Sequence, residues 1–388
     1  MMQQSEKQVK EAISAYIHIP FCEHICYYCD FNKVFLEGQP VDEYISSLLK
    51  EIKLTLEQNP ITQSPTLYIG GGTPTSLSVK QLDTLLSGIN QLFPMDTVNE
   101  FTVEANPGDL TFDKLQVMKA HNVNRLSMGV QTFDDVLLKK IGRKHTVKDV
   151  YATMHFLEKA DFQNVSIDLI YALPGQTLAS FRNTLKRAIE LDLPHYSLYS
   201  LILENKTMFM NWVRQGRLEM PDQEIEGQMF EETMAAMHNT GKFQYEISNF
   251  AKPGFESQHN LVYWNNEHYF GFGAGASGYL GQRRYKNFGP IQHYLKPLRQ
   301  NQLPIYETEE LTRNNQIEEE MFLGLRKKAG ISKFHFNEKF GTDMTEIYGD
   351  VLRELIKKDW LVETDDHVAL TPKGLLIGNE IFEKFLLD

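Results

Sequence analysis

The chain has 388 residues, of which 42% are hydrophobic and 23% charged, and its net charge is −12. This composition is typical of a globular protein with a large core; the acidic balance argues against nucleic-acid binding, and no apolar run approaches the roughly 20 residues that cross a bilayer. Residues 1–11 lack the basic and then apolar order of a secretory signal, so we expect a cytoplasmic protein that is not integral to a membrane.

Up to about residue 203, short apolar or β-branched runs alternate with longer amphipathic stretches. This alternation predicts strand–helix units around a parallel sheet, and six such units can curve into an incomplete (β/α)6 barrel of the α/β class. The predicted strands lie near Ala15–Ile19, Thr66–Ile69, Glu100–Val103, Arg125–Val130, Val165–Ile170 and Tyr196–Leu201. The predicted helices between them lie near 42–57, 78–92, 111–121, 147–160 and 177–191.

Beyond the barrel pattern, a helix near 222–239 precedes an aromatic and glycine-rich tract. The sequence pattern of residues 313–388 predicts two helices followed by a hairpin, which is the order found in a winged helix. The 11 Lys and Arg of this part, against 15 Asp and Glu, favour a packing or protein-contact role over DNA binding. We divide the chain into an N-terminal tail (1–14), a partial barrel (15–240), a connecting region (241–312) and a smaller C-terminal helical, winged-helix-like domain (313–388).

All three cysteines of the chain, Cys22, Cys26 and Cys29, lie in one eight-residue stretch after the first predicted strand. Three thiolates on a short loop can hold three irons of a [4Fe-4S] cluster and leave the fourth iron open to a small molecule. A Cys3His zinc site with His24 is chemically reasonable, whereas a disulfide would leave one thiol over. Because structural zinc sites usually stabilise small modules, the position of this loop in a long chain favours the cluster.

Polar residues also end several of the predicted strands. Gly70-Gly71-Gly72-Thr73-Pro74 follows the second strand, Glu104 and Gln131 end the third and fourth, and the fifth carries Asp168. In a barrel of parallel strands, the active site is assembled from such ends. Each residue alone is equally compatible with capping a turn, but together with the cysteine loop they favour one site.

The Cys-x3-Cys-x2-Cys loop, followed by Gly-Gly-Gly-Thr-Pro, resembles the radical S-adenosylmethionine (SAM) superfamily, in which SAM chelates the open iron. Further motifs resemble the oxygen-independent coproporphyrinogen III oxidase group: 16–22, 70–75, 104–107, 129–131, 142–146 and 168–177. The resemblance implies an electron donor such as a flavodoxin or ferredoxin. It also implies a SAM site lined by Tyr16, Tyr28, Gly71, Gly72, Thr73, Glu104, Gln131, Arg143 and Asp168.

Two features depart from the oxidases proper, which carry a fourth cysteine where this chain has Phe31 and a longer arm than the 15 residues before Tyr16. Both features, and the His-Asn-x-x-Tyr-Trp motif at 259–264, resemble the haem-chaperone sister group. This resemblance implies that His259 binds haem, with Tyr263 and Trp264 beside the ring.

Without the resemblance, the simpler interpretation is that His259 is a hydrogen-bonded histidine of the core or of a turn. With it, we expect a haem chaperone that carries a [4Fe-4S] cluster and SAM, binds haem and passes it to a haem-acceptor protein, without coproporphyrinogen oxidase activity. The alternative is the oxidase itself, which decarboxylates propionate side chains of the porphyrinogen.

Overall fold

A computed structural model describes residues 13–387, so all but the last two positions of the predicted tail lie outside the described residues. Up to residue 200, each of the six predicted strands and five predicted helices is present within two residues of its expected ends. The elements are β1 (Ser14–Ile19), β2 (Phe21–Cys22), β3 (Val34–Phe35), α1 (Val41–Gln58), β4 (Thr66–Gly71), α2 (Val79–Leu92), β5 (Glu100–Ala105), α3 (Phe112–Ala120), β6 (Arg125–Gln131), α4 (Asp135–Lys140), α5 (Val147–Lys159), β7 (Val165–Tyr171), α6 (Leu178–Glu190) and β8 (His195–Ser200).

The remaining elements alternate less regularly. Those up to residue 312 are α7 (Met208–Arg214), α8 (Gln223–Asn239), β9 (Phe243–Gln244), β10 (Asn249–Ala251), α9 (Gln258–Trp264), β11 (Tyr269–Phe272), β12 (Ser277–Leu280), β13 (Arg283–Asn287), α10 (Ile291–Arg299) and β14 (Ile305–Glu310). The C-terminal elements are α11 (Arg313–Gly324), β15 (Ile331–Ser332), α12 (Lys333–Phe340), α13 (Met344–Lys357), β16 (Leu361–Glu363), β17 (His367–Leu370), α14 (Pro372–Leu375) and α15 (Gly378–Phe382). Short 3₁₀ turns lie at Pro74–Ser76, Met95–Thr97 and Glu383–Phe385.

Local sequence explains why these elements form where they do. Helix α2 begins at a reciprocal capping box, in which Ser78 and Gln81 each bond the other's backbone N–H. Leu82, Leu85, Leu86 and Ile89 recur at the helical period and are fully buried in the core, which stabilises each by roughly 1.5–3 kcal/mol. Strand β6 is buried along its whole length, as expected of a parallel strand covered on both faces.

The six βα strands form one continuous parallel sheet in the order β1-β4-β5-β6-β7-β8. Strand β1 pairs on its other side with β11, and β8 pairs on its other side with β10. Within the described residues, therefore, no pairing joins β1 to β8. The predicted incomplete barrel is confirmed, and the C-terminal ends of its strands open at one mouth.

The segment 241–312 extends this sheet at both edges. Strand β11 runs parallel to β1, and β12, β13 and β14 continue outward from it as an antiparallel meander. Strands β10 and β9 flank β8 on the opposite edge. The region that the sequence presents as a connection is thus part of the twelve-stranded sheet.

The C-terminal part has its own core and a three-stranded antiparallel sheet in the order β15-β17-β16. A helix, a short strand, two helices and a hairpin follow one another, which is the winged-helix order predicted for it. Among residues 13–387, no helix is both long and apolar enough to span a bilayer.

Candidate cluster and ligand site

The cysteine loop leaves the sheet directly after β1. Strand β2 contains Cys22 and pairs in parallel with β3, so the base of the loop is closed by main-chain bonds. All three thiols are free; Cys22 is buried, and Cys26 and Cys29 are half-buried. Burial raises the pKa of Cys22 to about 11 and also raises the pKa of Cys29, so both thiols keep their protons at neutral pH unless a metal takes the proton's place.

The three thiols are spread along the loop, and within the described chain no three His, Cys, Asp or Glu side chains form a group suited to a single metal ion. A [4Fe-4S] cluster needs no such convergence, because each thiolate binds a different iron. The donor set, three thiols on one short loop, therefore fits the cluster.

A cavity of about 420 Å³, here called the loop cavity, lies beside the cysteine loop and is within the size range of small-molecule sites. Three predicted site residues line it, Cys26, Thr73 and Arg143. His24 lines it as well. Its rim carries acidic and basic side chains: Glu23, Asp109, Lys114, Lys144 and Asp149.

A chain of hydrogen bonds along this cavity joins two of the cysteines. The Arg143 guanidinium donates from Nη1 to Sγ of Cys26 at 3.4 Å and from Nη2 to Oδ1 of Asn106 at 2.6 Å. The Asn106 amide donates to Oγ1 of Thr73 at 3.0 Å, and the Thr73 hydroxyl contacts Sγ of Cys22 at 3.6 Å. Asn106 was not among the predicted site residues, although it stands in the Glu-Ala-Asn-Pro motif that begins at Glu104.

Glu104 lies next to the glycine run, as the strand-end pattern predicts. One carboxylate oxygen accepts from the Tyr68 hydroxyl at 2.8 Å, and the other accepts from the Gly71 N–H at 3.0 Å. Burial raises the pKa of Glu104 to about 7. Gly71 has a φ of +113°, and a Cβ there would lie 2.4 Å from the His18 ring, so no larger residue fits at this position.

Two more predicted strand-end residues lie deeper in the sheet. Gln131 is buried, with a φ of +68°, at a register irregularity between β6 and β7. Asp168 accepts from the Ser127 hydroxyl at 3.1 Å, and burial raises its pKa. Of the other predicted SAM residues, Tyr28 is half-buried near Cys26, and burial raises its pKa. Neither Gln131 nor Asp168 is among the residues that line the loop cavity.

Of the three predicted haem residues, the structure brings His259 and Tyr263 together and turns Trp264 toward the C-terminal domain. His259 is 1% exposed, and both ring nitrogens are bonded: Nδ1 to Oγ1 of Thr66 at 2.7 Å and Nε2 to the Tyr263 hydroxyl at 2.9 Å. Burial lowers the pKa of His259 to about 3, so the imidazole is neutral. Trp264 packs instead against Arg326 of the C-terminal domain. In this conformation neither ring nitrogen of His259 is free to coordinate a metal.

Tyr263 lines a second cavity of about 220 Å³, here called the Tyr263 cavity. Tyr16, a predicted SAM residue, lines this second cavity as well, and its hydroxyl bonds Nδ1 of His18 at 3.0 Å. Phe31, at the position where the oxidases carry their fourth cysteine, is 62% exposed on its rim.

Comparisons with known proteins agree with this architecture. The family model of the radical SAM superfamily matches residues 16–188, and that of the HemN C-terminal domain matches 311–377. The solved structure of coproporphyrinogen III oxidase (HemN) from Escherichia coli matches with a TM-score of 0.83 over 97% of this chain and 90% of that one. At 24% identity, this likeness concerns the fold. The fold and the cysteine loop are those of a radical SAM protein.

Relatives narrow the family further. A Heme chaperone HemW from Bacillus subtilis strain 168 is 51% identical over 374 residues, which cover 96% of this chain and 99% of that protein. Another, from Lactococcus lactis, is 51% identical over 375 residues and 97% of each chain. The HemW of Escherichia coli K12 is 37% identical over 69% of this chain and 70% of its own length. The chain therefore belongs to the HemW family within the radical SAM superfamily.

Proposed function

We propose that this protein is a haem chaperone that binds haem and transfers it to an acceptor protein. The observation that carries the proposal is the identity of 51% with proteins named heme chaperone HemW, which extends over nearly the full length of both chains. Similarity over the whole length includes the barrel, the flanking strands and the C-terminal domain, so it covers every part of the molecule that a shared function requires.

The resident cofactors in this proposal are a [4Fe-4S] cluster and SAM. Cys22, Cys26 and Cys29 would hold the cluster, which supplies one-electron chemistry at its open iron when bound. Around it, this chain's own residues orient the loop: Arg143 and Thr73 donate toward the sulfur atoms, and Asn106 joins these two side chains. An electron donor such as a flavodoxin or ferredoxin and the haem acceptor are the proposed protein partners.

For SAM, the proposed contacts are the residues at the strand ends beside the loop. Glu104 already accepts a hydrogen bond from the Gly71 N–H and retains lone pairs for an amine, and Gly71 and Gly72 present only backbone at this strand end. Tyr16, Tyr28, Gln131 and Asp168 complete the proposed set around these residues.

An anaerobic haem titration followed by a transfer assay tests the proposal. The reconstituted protein should bind haem near one equivalent and deliver it to apo-acceptor. In parallel, incubation with coproporphyrinogen, SAM and a reductant should give no protoporphyrinogen. Conversion of coproporphyrinogen without haem binding would overturn the chaperone proposal in favour of the oxidase, whose fold this chain shares.

A further inference from the structure

Positive charge is concentrated in the segment that follows helix α4. Residues 139–148 contain four Lys and one Arg and no Asp or Glu, whereas the whole chain has a net charge of −12. The four lysines, here called the basic patch, are all exposed: Lys139, Lys140, Lys144 and Lys148. Because the chain as a whole repels acidic proteins, a local excess of positive charge determines where such a protein can bind.

The segment that carries the basic patch packs directly on the cysteine loop. The Tyr27 N–H donates to the carbonyl oxygen of Ile141 at 3.2 Å, and the Arg143 guanidinium donates to Sγ of Cys26 at 3.4 Å. Gly142 lies against the Tyr27 ring, where an added Cβ would be 3.1 Å from the ring atoms. The lysines on either side of this contact are therefore close to a predicted cluster ligand.

Helix α4 presents part of the basic patch on its outward face. Leu137 and Leu138 are buried, whereas Val136 is 76% exposed. Lys139 and Lys140 follow Val136 by three and four residues, so the three side chains are neighbours on the helix surface. An exposed apolar side chain bordered by charged ones resembles the core and rim of a protein interface.

The acidic side chains around the basic patch already have partners. Three of them accept hydrogen bonds from backbone N–H groups at the starts of α4 and α5, namely Asp134, Asp135 and Asp149. A fourth, Glu23, forms an ion pair with Lys144 at 2.5 Å. Within the part of the chain that the structure describes, Lys139, Lys140 and Lys148 form no ion pair. Three of the four ammonium groups are therefore available to carboxylates of a partner.

We propose that the basic patch is the docking surface for an acidic one-electron carrier protein that reduces the cluster. The inference rests on the proposed function, because it takes the cluster and the electron donor from there. In the complex, carboxylates of the carrier face the lysines, and its redox group approaches the cysteine loop on the side of Cys26. One electron leaves the reduced carrier and is gained by the cluster, and no covalent bond forms or breaks.

The position of the basic patch favours an electron carrier over other acidic partners. Electron transfer requires a short separation between the two redox groups, and Arg143 of this segment already contacts Cys26. Flavodoxins and ferredoxins are acidic, so the sign of their charge matches the patch. Attraction between opposite charges raises association rates by about 10- to 1,000-fold at low salt.

Reversal of two charges should therefore slow the reduction. Lys139→Glu combined with Lys140→Glu should lower the rate of cluster reduction by flavodoxin about tenfold at low salt and weaken the binding of oxidised flavodoxin by a similar factor. Near 0.5 M salt, where the Debye length is roughly 4 Å, the rates for the variant and the parent should converge.

The matched control is Lys357→Glu combined with Lys358→Glu. These are adjacent exposed lysines at the C-terminal end of α13, in the C-terminal domain, and their reversal changes the net charge of the chain by the same amount. Reduction and binding in this control should stay within about twofold of the parent, because the steering depends on charge close to the docking surface.

The test uses the anaerobically reconstituted full-length protein and the two double variants. Stopped-flow absorption follows reduction of the cluster by reduced flavodoxin or ferredoxin, and calorimetry measures binding of the oxidised carriers, which requires no electron transfer. Photoreduced deazaflavin, a small reductant, should reduce the cluster of all three proteins at equal rates. Thermal unfolding verifies that each protein is folded.

A loss confined to the Lys139 and Lys140 variant, and abolished by salt, supports the docking surface. If this variant and the control lose rate and affinity equally, or neither loses any, the basic patch is not the docking surface, while the cluster and the haem function stand. A cluster-loaded parent that binds neither carrier overturns the inference, and the haem titration of the same sample tests the chaperone function separately. A parent without iron overturns the proposed cluster and this docking surface together.

Discussion

The guanidinium of Arg326 lies 4.5 Å from the centre of the Trp264 ring, which joins the C-terminal domain to the end of the His-Asn-x-x-Tyr-Trp motif. The next two residues continue this contact. Asn265 accepts from Lys327 at 2.7 Å, and Asn266 donates to Glu320 at 3.2 Å. Helix α9 is therefore docked at its C-terminal end onto the winged-helix domain.

The N-terminal end of the same helix is fixed by Glu100, a buried carboxylate at the start of β5. Its two oxygens accept from the backbone N–H groups of Gln258 and His259 at 2.9 and 3.0 Å and from the Ser257 hydroxyl at 3.3 Å. A negative charge at a helix N-terminus is favourable as well. Helix α9 is consequently held by the sheet at one end and by the C-terminal domain at the other.

The first prediction concerns the contact between the two domains. Arg326→Ala should lower the free energy of unfolding by about 1–2 kcal/mol, because the half-buried guanidinium packs on the indole ring of Trp264. Lys358→Ala is the control, since Lys358 lies 4.6 Å from the Trp360 ring within the C-terminal domain and is well exposed. Urea unfolding and limited proteolysis measure the stability of both variants. Equal losses of stability in Arg326→Ala and Lys358→Ala would show that Arg326 does not join the domains.

The second prediction concerns the metal centre. The anaerobically purified protein should be brown with about four irons per chain, and Ala at any of Cys22, Cys26 or Cys29 should abolish iron binding because each thiolate holds one iron. His24→Ala should retain the cluster. Metal analysis and absorption spectra distinguish the [4Fe-4S] cluster from zinc. A protein that contains zinc and no iron, and that loses the zinc on His24→Ala, would establish the Cys3His site instead.

The third prediction concerns the residues beside the cluster. Substitution of Glu104, Gln131, Arg143 or Asp168 should weaken SAM binding while iron content stays near normal, since these side chains are proposed to contact SAM. Asn106→Ala should do the same, because it removes the two part-buried hydrogen bonds that link Arg143 to Thr73, each worth about 0.5–1.5 kcal/mol. Calorimetry on reconstituted variants measures the affinity, and Gln258→Ala, on the remote helix α9, is the control.

If all five variants bind SAM with the same affinity as the parent protein, the residues at the strand ends stabilise the barrel and do not bind SAM. If Arg143→Ala is the one variant that loses iron, Arg143 acts by supporting the cluster ligand Cys26, whose Sγ it contacts, and not by binding SAM.

Strands β1 and β4 to β8 of the barrel were predictable because each is a short apolar run next to an amphipathic helix, and the hydrophobic period changes from two residues in a strand to 3.6 in a helix. Strand β11 was not, because it pairs with β1 from more than 250 residues away and sequence periodicity carries no information on such a partner. The same limit applies to the His-Asn-x-x-Tyr-Trp motif at 259–264. Its residues were identifiable by resemblance, but that Trp264 packs on Arg326 follows from tertiary contacts alone.

A second pH-sensitive carboxyl group, Glu51, lies away from the cysteine loop in the core between α1 and the turn after β11. It is 2% exposed, and its carboxylate accepts from the Gly273 N–H at 2.9 Å, the Asn287 amide at 2.6 Å and the Tyr294 hydroxyl at 2.5 Å. These donors favour the charged form, but burial dominates and raises the pKa of Glu51 from 4.5 to about 7.

The last prediction follows from this raised pKa. The folded state retains a proton on Glu51 that the unfolded state has lost, so the stabilisation is complete below pH 4.5 and disappears as the pH rises through 7. Over that window the group contributes about 3 kcal/mol of decline in the free energy of unfolding. Glu51→Gln, which cannot ionise, should therefore show a shallower decline than the parent when urea unfolding is measured anaerobically from pH 5 to pH 8. Parallel curves for the two proteins would mean that Glu51 is already ionised in the folded state at pH 5, with its three donors outweighing the burial of the charge.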